Sequence, residues 1–342
     1  MILSANEKKP ARGPWHAVAL SVFGLLAVAS SGCRTAPSTF LERPDSSDLR
    51  VVSYNVYWDK IFPDEDQQQA EKFIRVVKAL DPDVLNLQEI RRDAADVVAV
   101  MNAALPLPNG KSWHAFKGYT NVIVSKYPLK MTADRTDPPG QRDLAMALVD
   151  LPDDRFAVDL YVLNNHFKCC GDTENDRQRQ QQSDAVINWV RDACTAGGAI
   201  DLPRGTPFVI VGDLNLVGGP QPLDTLVTGK IIDTDAYGEP VAPDWDESSL
   251  TDAHPRHNAA GTTDYTWRND NGQWDPGRLD FVIYSDSVLE AVHRFVLNTT
   301  TMSADLLVET GLQPMDVTLD QEGKRYDHLP VVVDFRVGGL SD

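Results

Sequence analysis

Four short segments, far apart in the chain, begin or end apolar runs with residues able to hold a hard cation. They are Ser53-Tyr54-Asn55-Val56, Leu87-Gln88-Glu89-Ile90, Gly212-Asp213-Leu214-Asn215 and Asp327-His328-Leu329-Pro330. Carboxylate and carboxamide oxygens suit Mg²⁺ or Mn²⁺ and suit Zn²⁺ or Cu²⁺ poorly. A carboxylate can also orient and deprotonate a water, and a histidine can supply charge or a proton near neutral pH. Brought together, these residues would drive water at a phosphate with metal assistance. Each one alone reads as a solvated strand end; the signal is their joint occurrence in this order.

The elements that must carry them follow from periodicity. Leu49 to Val56 is apolar and β-branched, Gln67 to Leu80 has Phe73, Val76, Val77 and Leu80 at helical spacing, and Asp83 to Gln88 is apolar again, a β-α-β rhythm. Further strands are expected at Thr120 to Ser125, Leu144 to Leu151, Phe156 to Phe167, Pro207 to Gly212, Leu279 to Ser285 and Val331 to Phe335. A second long helix is expected from about Thr173 to Ala193, with Val186, Trp189, Val190 and Ala193 as its buried stripe. Asn55, Glu89, Asp213 and Asn215 then fall at the carboxyl ends of strands, where ligands collect in α/β sheets. Between Val217 and Arg278 the pattern loosens, with only a short helix expected near Leu223 to Thr228, and the stretch reads as functional surface or mobile cover. This rhythm is compatible with a single doubly wound sheet or with two packed sheets.

The motifs SYNV, LQEI, NVIVSKYP, NNHFK, GDLN and RLDFVIYS, closed by DHLPVVVDF, resemble those of the endonuclease/exonuclease/phosphatase superfamily in that family's order, over about Leu49 to Val337. The resemblance implies a four-layered α/β sandwich, two packed mixed β-sheets flanked by helices as in DNase I. It implies Glu89 as the main ligand of Mg²⁺ or Mn²⁺, with Asn55 assisting and Asp327 as a minor or second-site ligand. Asp213 would activate the attacking water, and Asn215 would fix the phosphate and its partners. Asp280 of the Arg278-Leu279-Asp280 run would orient His328 and favour its cationic form, and His166 would contact the scissile phosphate or protonate the leaving oxygen. Asn121, its neighbour Tyr119, and Arg91 match stretches where the family contacts substrate. Two departures stand out: Tyr57 replaces the Asp that apurinic endonucleases carry two positions after the first Asn, and the Cys169-Cys170-Gly171 insert matches none of the well-known branches.

The N-terminus reads as an export signal. Lys8, Lys9 and Arg12 precede the apolar stretch Ala17 to Ser30, about fourteen residues against the ~20 of a spanning helix, and Ser31-Gly32-Cys33 follows. Ser-Gly-Cys resembles the bacterial lipobox, whose Cys becomes the lipidated first residue; an ordinary secretory signal is the alternative. Arg34 after the Cys favours the outer membrane over the inner. The expected organisation is residues 1–32 as leader, 33–48 as flexible tether and 49–338 as one catalytic domain, a monomer located in the cell envelope or secreted. Removing the leader's three basic residues and one acid takes the formal charge from -18 to -20, which repels polyanions at long range and argues against cation-independent nucleic-acid binding.

In an oxidising compartment Cys169 or Cys170 could bridge to Cys194, leaving one thiol over, and the sequence leaves the redox state of the three open. A zinc site is disfavoured, because only Cys169, Cys170 and His166 cluster locally. The substrate expected first is a phosphodiester such as nucleic acid, with Trp245, Trp267 and Trp274 available to stack on bases. A sphingomyelinase-like activity, or a phosphatase acting on an inositol phosphate or a lipid headgroup beside the anchoring membrane, is the enzymatic alternative. A non-catalytic binding lipoprotein is the rival of another class, opposed by the intact set of site residues.

Overall fold

The computed structural model describes residues 39–63, 67–135, 144–319 and 326–340. The leader, Cys33 and the first part of the expected tether lie outside the described residues.

Two β-α-β units form the centre. In the first, β1 (Leu49–Asn55) and β2 (Val84–Gln88) run parallel, joined through α1 (Gln67–Leu80). In the second, β7 (Leu160–His166) and β8 (Phe208–Asp213) run parallel, joined through α3 (Thr173–Ala193). The remaining strands are β3 (His114–Lys117), β4 (Val122–Ser125), β5 (Leu129–Arg135), β6 (Leu144–Val149), β9 (Thr251–Asp252), β10 (Asp280–Tyr284), β11 (Leu289–Val296) and β12 (Val331–Val337). The remaining helices are α2 (Ala94–Ala104), α4 (Gln221–Thr228), α5 (Thr234–Tyr237) and α6 (Ala304–Thr310). One six-stranded sheet has the order β11-β12-β1-β2-β4-β3 and the other β5-β6-β7-β8-β10-β9. The structure thus selects two packed mixed sheets over a single doubly wound one.

Strand alternation explains the layering. Along β8, Val209 and Val211 join the core shared with the first sheet, whereas Phe208 and Ile210 join Val186, Ile187, Trp189 and Val190 of α3. Both faces are buried, so the strand reads as a continuous apolar run. Helix α3 begins where Asp172 accepts the Asn175 N–H at 2.7 Å, and Glu174 and Asp176 in its first turn with Arg191 in its last match the helix dipole.

Polar groups cross between the sheets. Asn164 of β7 is buried and donates to Leu87 O (3.1 Å) and Val122 O (3.0 Å) of the first sheet, while Gln88 Nε2 donates to Asn164 Oδ1 (2.7 Å). Gln88 Nε2 also reaches Ser53 Oγ at 3.2 Å. At the far end of β1, buried Arg50 pairs bidentately with Asp334 (2.7 and 2.8 Å) and donates to Leu41 O and Leu80 O, each at 2.8 Å.

Three sequence readings are corrected here. Cys169 and Cys170 precede α3 and Cys194 caps its other end, so the 21-residue helix holds them about 30 Å apart, far beyond disulfide reach. None of the three is disulfide-bonded in the structure. In residues 39–48 the expected tether is packed chain: the Phe40 ring meets Phe295 at 5.0 Å and Leu41 lies in the core. The 217–278 stretch is ordered rather than being loose cover: β9 pairs with β10, Ala253 N donates to Val282 O, and Trp267 is bridged to both Gly277 and His328.

Asn164→Leu would remove the side-chain donor from two carbonyls between the sheets, and the closest acceptor of the Gln88 amide. Unsatisfied buried groups cost about 1–3 kcal/mol each. Calorimetry is expected to show a thermal midpoint lower by roughly 6–12 °C, whereas Tyr119→Ala, at a side chain 74% exposed, leaves the midpoint unchanged.

Candidate active site

The parallel β-α-β units aim two pairs of strand ends at one rim. Asn55 ends β1, Glu89 follows β2, His166 ends β7 and Asp213 ends β8. β10 runs antiparallel to β8, so its first residue, Asp280, pairs in register with Asp213, as His166 does from the other side. His328 enters three residues before β12. Gly212 sits where β8 hugs β7: its φ is +130°, and a Cβ there would lie 2.0 Å from Asn165 O. No other residue fits beside Asp213 at that approach.

Asp213 is the common neighbour. Its Oδ2 accepts from Asn55 Nδ2 at 3.1 Å and lies 3.3 Å from His166 Nε2 and 3.6 Å from His328 Nε2. Its Oδ1 accepts the Asn215 N–H at 3.0 Å. His166 Nε2 also stands 3.6 Å from Glu89 Oε1. Asn215 directs its amide to Phe167 O at 3.2 Å, tying the loop after β8 to the end of β7. All of these side chains are buried.

His328 Nδ1 meets Asp280 Oδ2 at 2.7 Å. Burial acts against a charged imidazole, but the charges of Asp280 and Asp213, the Asp280 hydrogen bond and the charge of Asp327 outweigh it and hold the His328 pKa well above 6.5. Asp213, Asp280 and His328 each offer one ligand atom, all within 4.8 Å of one another. Within this trio a carboxylate-held histidine turns its other ring nitrogen toward Asp213. The oxygen donors of Glu89, Asn55 and Asp213 form the set that suits a hard cation.

Sequence reasoning missed Thr266 and assigned Trp267 to base stacking, whereas the two fasten the last two motifs together. Thr266 Oγ1 accepts the N–H groups of Leu279 and Asp280, both at 2.9 Å, and Thr266 O accepts from Leu329 N at 2.7 Å. Trp267 Nε1 donates to Asp327 Oδ1 at 2.9 Å. The signal available was a β-branched and aromatic pair within an otherwise polar stretch. The indole of Trp267 is therefore committed to Asp327. Trp245 donates to Thr206 O at 2.7 Å, beyond the opposite end of β8, and is removed from the rim. Of the three tryptophans expected to stack on bases, Trp274 alone is widely exposed, at 63%.

The expected substrate-contact residues separate. Asn121 is buried and donates to Asn164 O at 3.2 Å, beneath the rim. Tyr119 projects into solvent, and the exposed Arg91 lies over the Trp58 ring at 4.9 Å. Backbone strain gathers at this side: Tyr57, Trp58, Asp59 and Glu89 all have positive φ (47, 52, 69 and 63°), and Asn215 does as well (50°). For residues other than glycine the left-handed region costs about 1–2 kcal/mol each, and such outliers collect at functional sites.

Two packed mixed sheets with acids, amides and histidines converging at one rim define a four-layered α/β sandwich with a polar site at its edge. The sequence matches the Endonuclease/Exonuclease/phosphatase family over residues 52–301, and the chain belongs to that family, whose members are hydrolases of phosphoesters. Among solved structures it is similar to a mannosyl-6-phosphatase of Bacteroides thetaiotaomicron (17% identity, TM-score 0.53, covering 84% of this chain and 99% of that one). It is similar also to truncated TDP2 of Caenorhabditis elegans (18%, 0.51, 84% and 97%), and to D. rerio TDP2 complexed with a single-strand DNA product (16%, 0.50, 84% and 98%). These likenesses establish the fold. No curated protein matches the sequence.

Ring ¹⁵N shifts of the cation-free protein are expected to show His328 still protonated well above pH 6.5. In Asp280→Asn, burial prevails and the titration moves down. The raised pKa also sets the sign of its linkage: the stabilisation from this pair is full below pH 6.5 and fades as pH rises through the folded-state value.

Proposed function

We propose that the protein is an exported, divalent-metal-dependent phosphodiesterase that cleaves its substrate by in-line attack of water. The observation that carries this reading is Asp213, buried with two imidazoles and one carboxamide turned toward a single carboxylate oxygen. That arrangement suits a group that takes a proton from a water placed at the rim. The donor set fits a hard cation: Glu89 and Asn55 would hold Mg²⁺ or Mn²⁺ with Asp213 beside them, and the ion would supply charge stabilisation for the phosphoryl oxygens. His328, kept cationic by Asp280, places a positive donor beside Asp213 where phosphoryl charge develops. His166, between Glu89 and Asp213, is positioned to contact the phosphate or to give a proton to the leaving oxygen. Asn215 holds the Asp213 carboxylate in place through its backbone N–H.

A diester is favoured over a monoester by the solvent-exposed Tyr119 and Arg91 close in sequence to the Glu89 end of the rim, which suit a substrate extending beyond the phosphate. The relatives named above include both a sugar phosphatase and a DNA-bound enzyme. The leader and Cys33 support export to the cell envelope with a lipid anchor, and residues 49–338 are taken as the catalytic domain.

Activity is tested on the soluble form beginning at Thr35, using single- and double-stranded DNA, RNA, sphingomyelin, inositol phosphates and a generic phosphodiester, each with Mg²⁺, Mn²⁺ or EDTA. Cation-dependent cleavage is expected, falling by about 10²–10⁴-fold in Asp213→Asn. A folded protein inactive on all substrates with either metal would instead support the binding-lipoprotein reading, and a monoester as best substrate would replace the diester.

A further inference from the structure

We infer that Asp59 is a positioning residue for Glu89, and that the left-handed turn Tyr57-Trp58-Asp59 exists to lock the cation-binding end of the site. The inference rests on the reading of Glu89 as the cation ligand. The turn follows directly on Asn55 and grips both of the first sheet's contributions to the rim. At its start, Tyr57 N donates to Asn55 Oδ1 at 3.0 Å, which sets the rotation of that carboxamide. At its end, Asp59 makes two contacts that straddle the Glu89 unit. Its backbone N–H donates to Glu89 O at 3.1 Å, and its Oδ1 accepts the Arg91 N–H at 3.0 Å. Val56 N to Gln88 O (3.1 Å) and Ile90 N to Thr120 O (2.9 Å) complete a segment in which each residue from 88 to 91 is held through its main chain, 89 and 91 both by Asp59.

Three consecutive residues with positive φ, none of them glycine, do not arise from local preference. If Asp59 returned to an extended conformation, its N–H and its carboxylate would swing away from 89–91. Glu89, itself at φ +63°, would lose the contacts that keep its peptide in that conformation. Aspartate is suited to the position on two counts. It tolerates the left-handed region better than most side chains, and its short carboxylate reaches a main-chain N–H. The guanidinium of Arg91 over the Trp58 ring closes the outer side of the clasp. The pattern is that of an outer residue orienting a ligand, a role whose loss typically weakens metal affinity by about 10–100-fold.

The test is Mn²⁺ binding to the purified protein, followed by electron paramagnetic resonance of free Mn²⁺, in wild type, Glu89→Gln, Asp59→Gly and Asp59→Asn. Glycine accepts the left-handed conformation but removes the acceptor, so Asp59→Gly is expected to keep the fold by circular dichroism and to weaken Mn²⁺ about 10–100-fold. Asparagine keeps an acceptor oxygen and is expected to restore affinity to near wild type. Unchanged affinity in Asp59→Gly, with binding lost in Glu89→Gln, would overturn the role of Asp59 and leave the cation site standing. Equal binding by Glu89→Gln and wild type would instead overturn the cation assignment itself.

Discussion

A carboxylate cannot be buried unless donors surround it, and Asp213 is where this chain meets that constraint. Moving an ion out of water costs several kcal/mol even after relaxation, and only close, well-aimed partners offset it. The partners come from separate parts of the fold: Asn55 from the first sheet, His166 from the neighbouring strand, His328 from the loop before β12 and the Asn215 N–H from the turn just after. The site is therefore complete only when both sheets and the terminal strand are in place. The same donors fix the direction in which the Asp213 carboxylate faces the rim.

Everything beneath the rim serves to bring those pieces to one height. The two β-α-β units set the strand ends, and the Asn164 amide, bonded to the backbone of β2 and β4, fixes the first sheet against the second one layer below the chemistry. Thr266 performs the equivalent task at the other side, joining the strand that carries Asp280 to the segment that carries His328. Backbone strain recurs at the rim, where Tyr57, Trp58, Asp59, Glu89 and Asn215 all have positive φ. Its cost is borne by the surrounding hydrogen bonds, and a rim assembled this way is stiffer than loops alone would give.

The site residues were legible because each ends an apolar run, and because their motifs stand in the order of a known family. The two central helices and the central strands were legible by period. Other elements were not, for physical reasons. β5 is largely exposed and slips register between Lys130 and Ala133, and β11 slips between Ala291 and His293, so neither shows clean alternation. β9 has two residues and α2 buries only Val97, Met101 and Ala104, a stripe too thin to stand out. The two-sheet arrangement came from resemblance, since alternation along a doubly buried strand does not say what covers each face. The clasp at Tyr57-Trp58-Asp59 and the Thr266-Trp267 fastening depend on partners distant in sequence. The bridge to Cys194 fails because the helix between the cysteines acts as a rigid spacer.

The most direct test of the account is a double-mutant cycle on turnover, using Asp213→Asn, His328→Gln and the combination. If both side chains act on one water and one phosphoryl group, removing the second adds little once the first is gone. The double variant is then about as slow as the worse single one. Losses that multiply would mean that Asp213 and His328 act independently, and would contradict the assembly of this site around a single shared carboxylate.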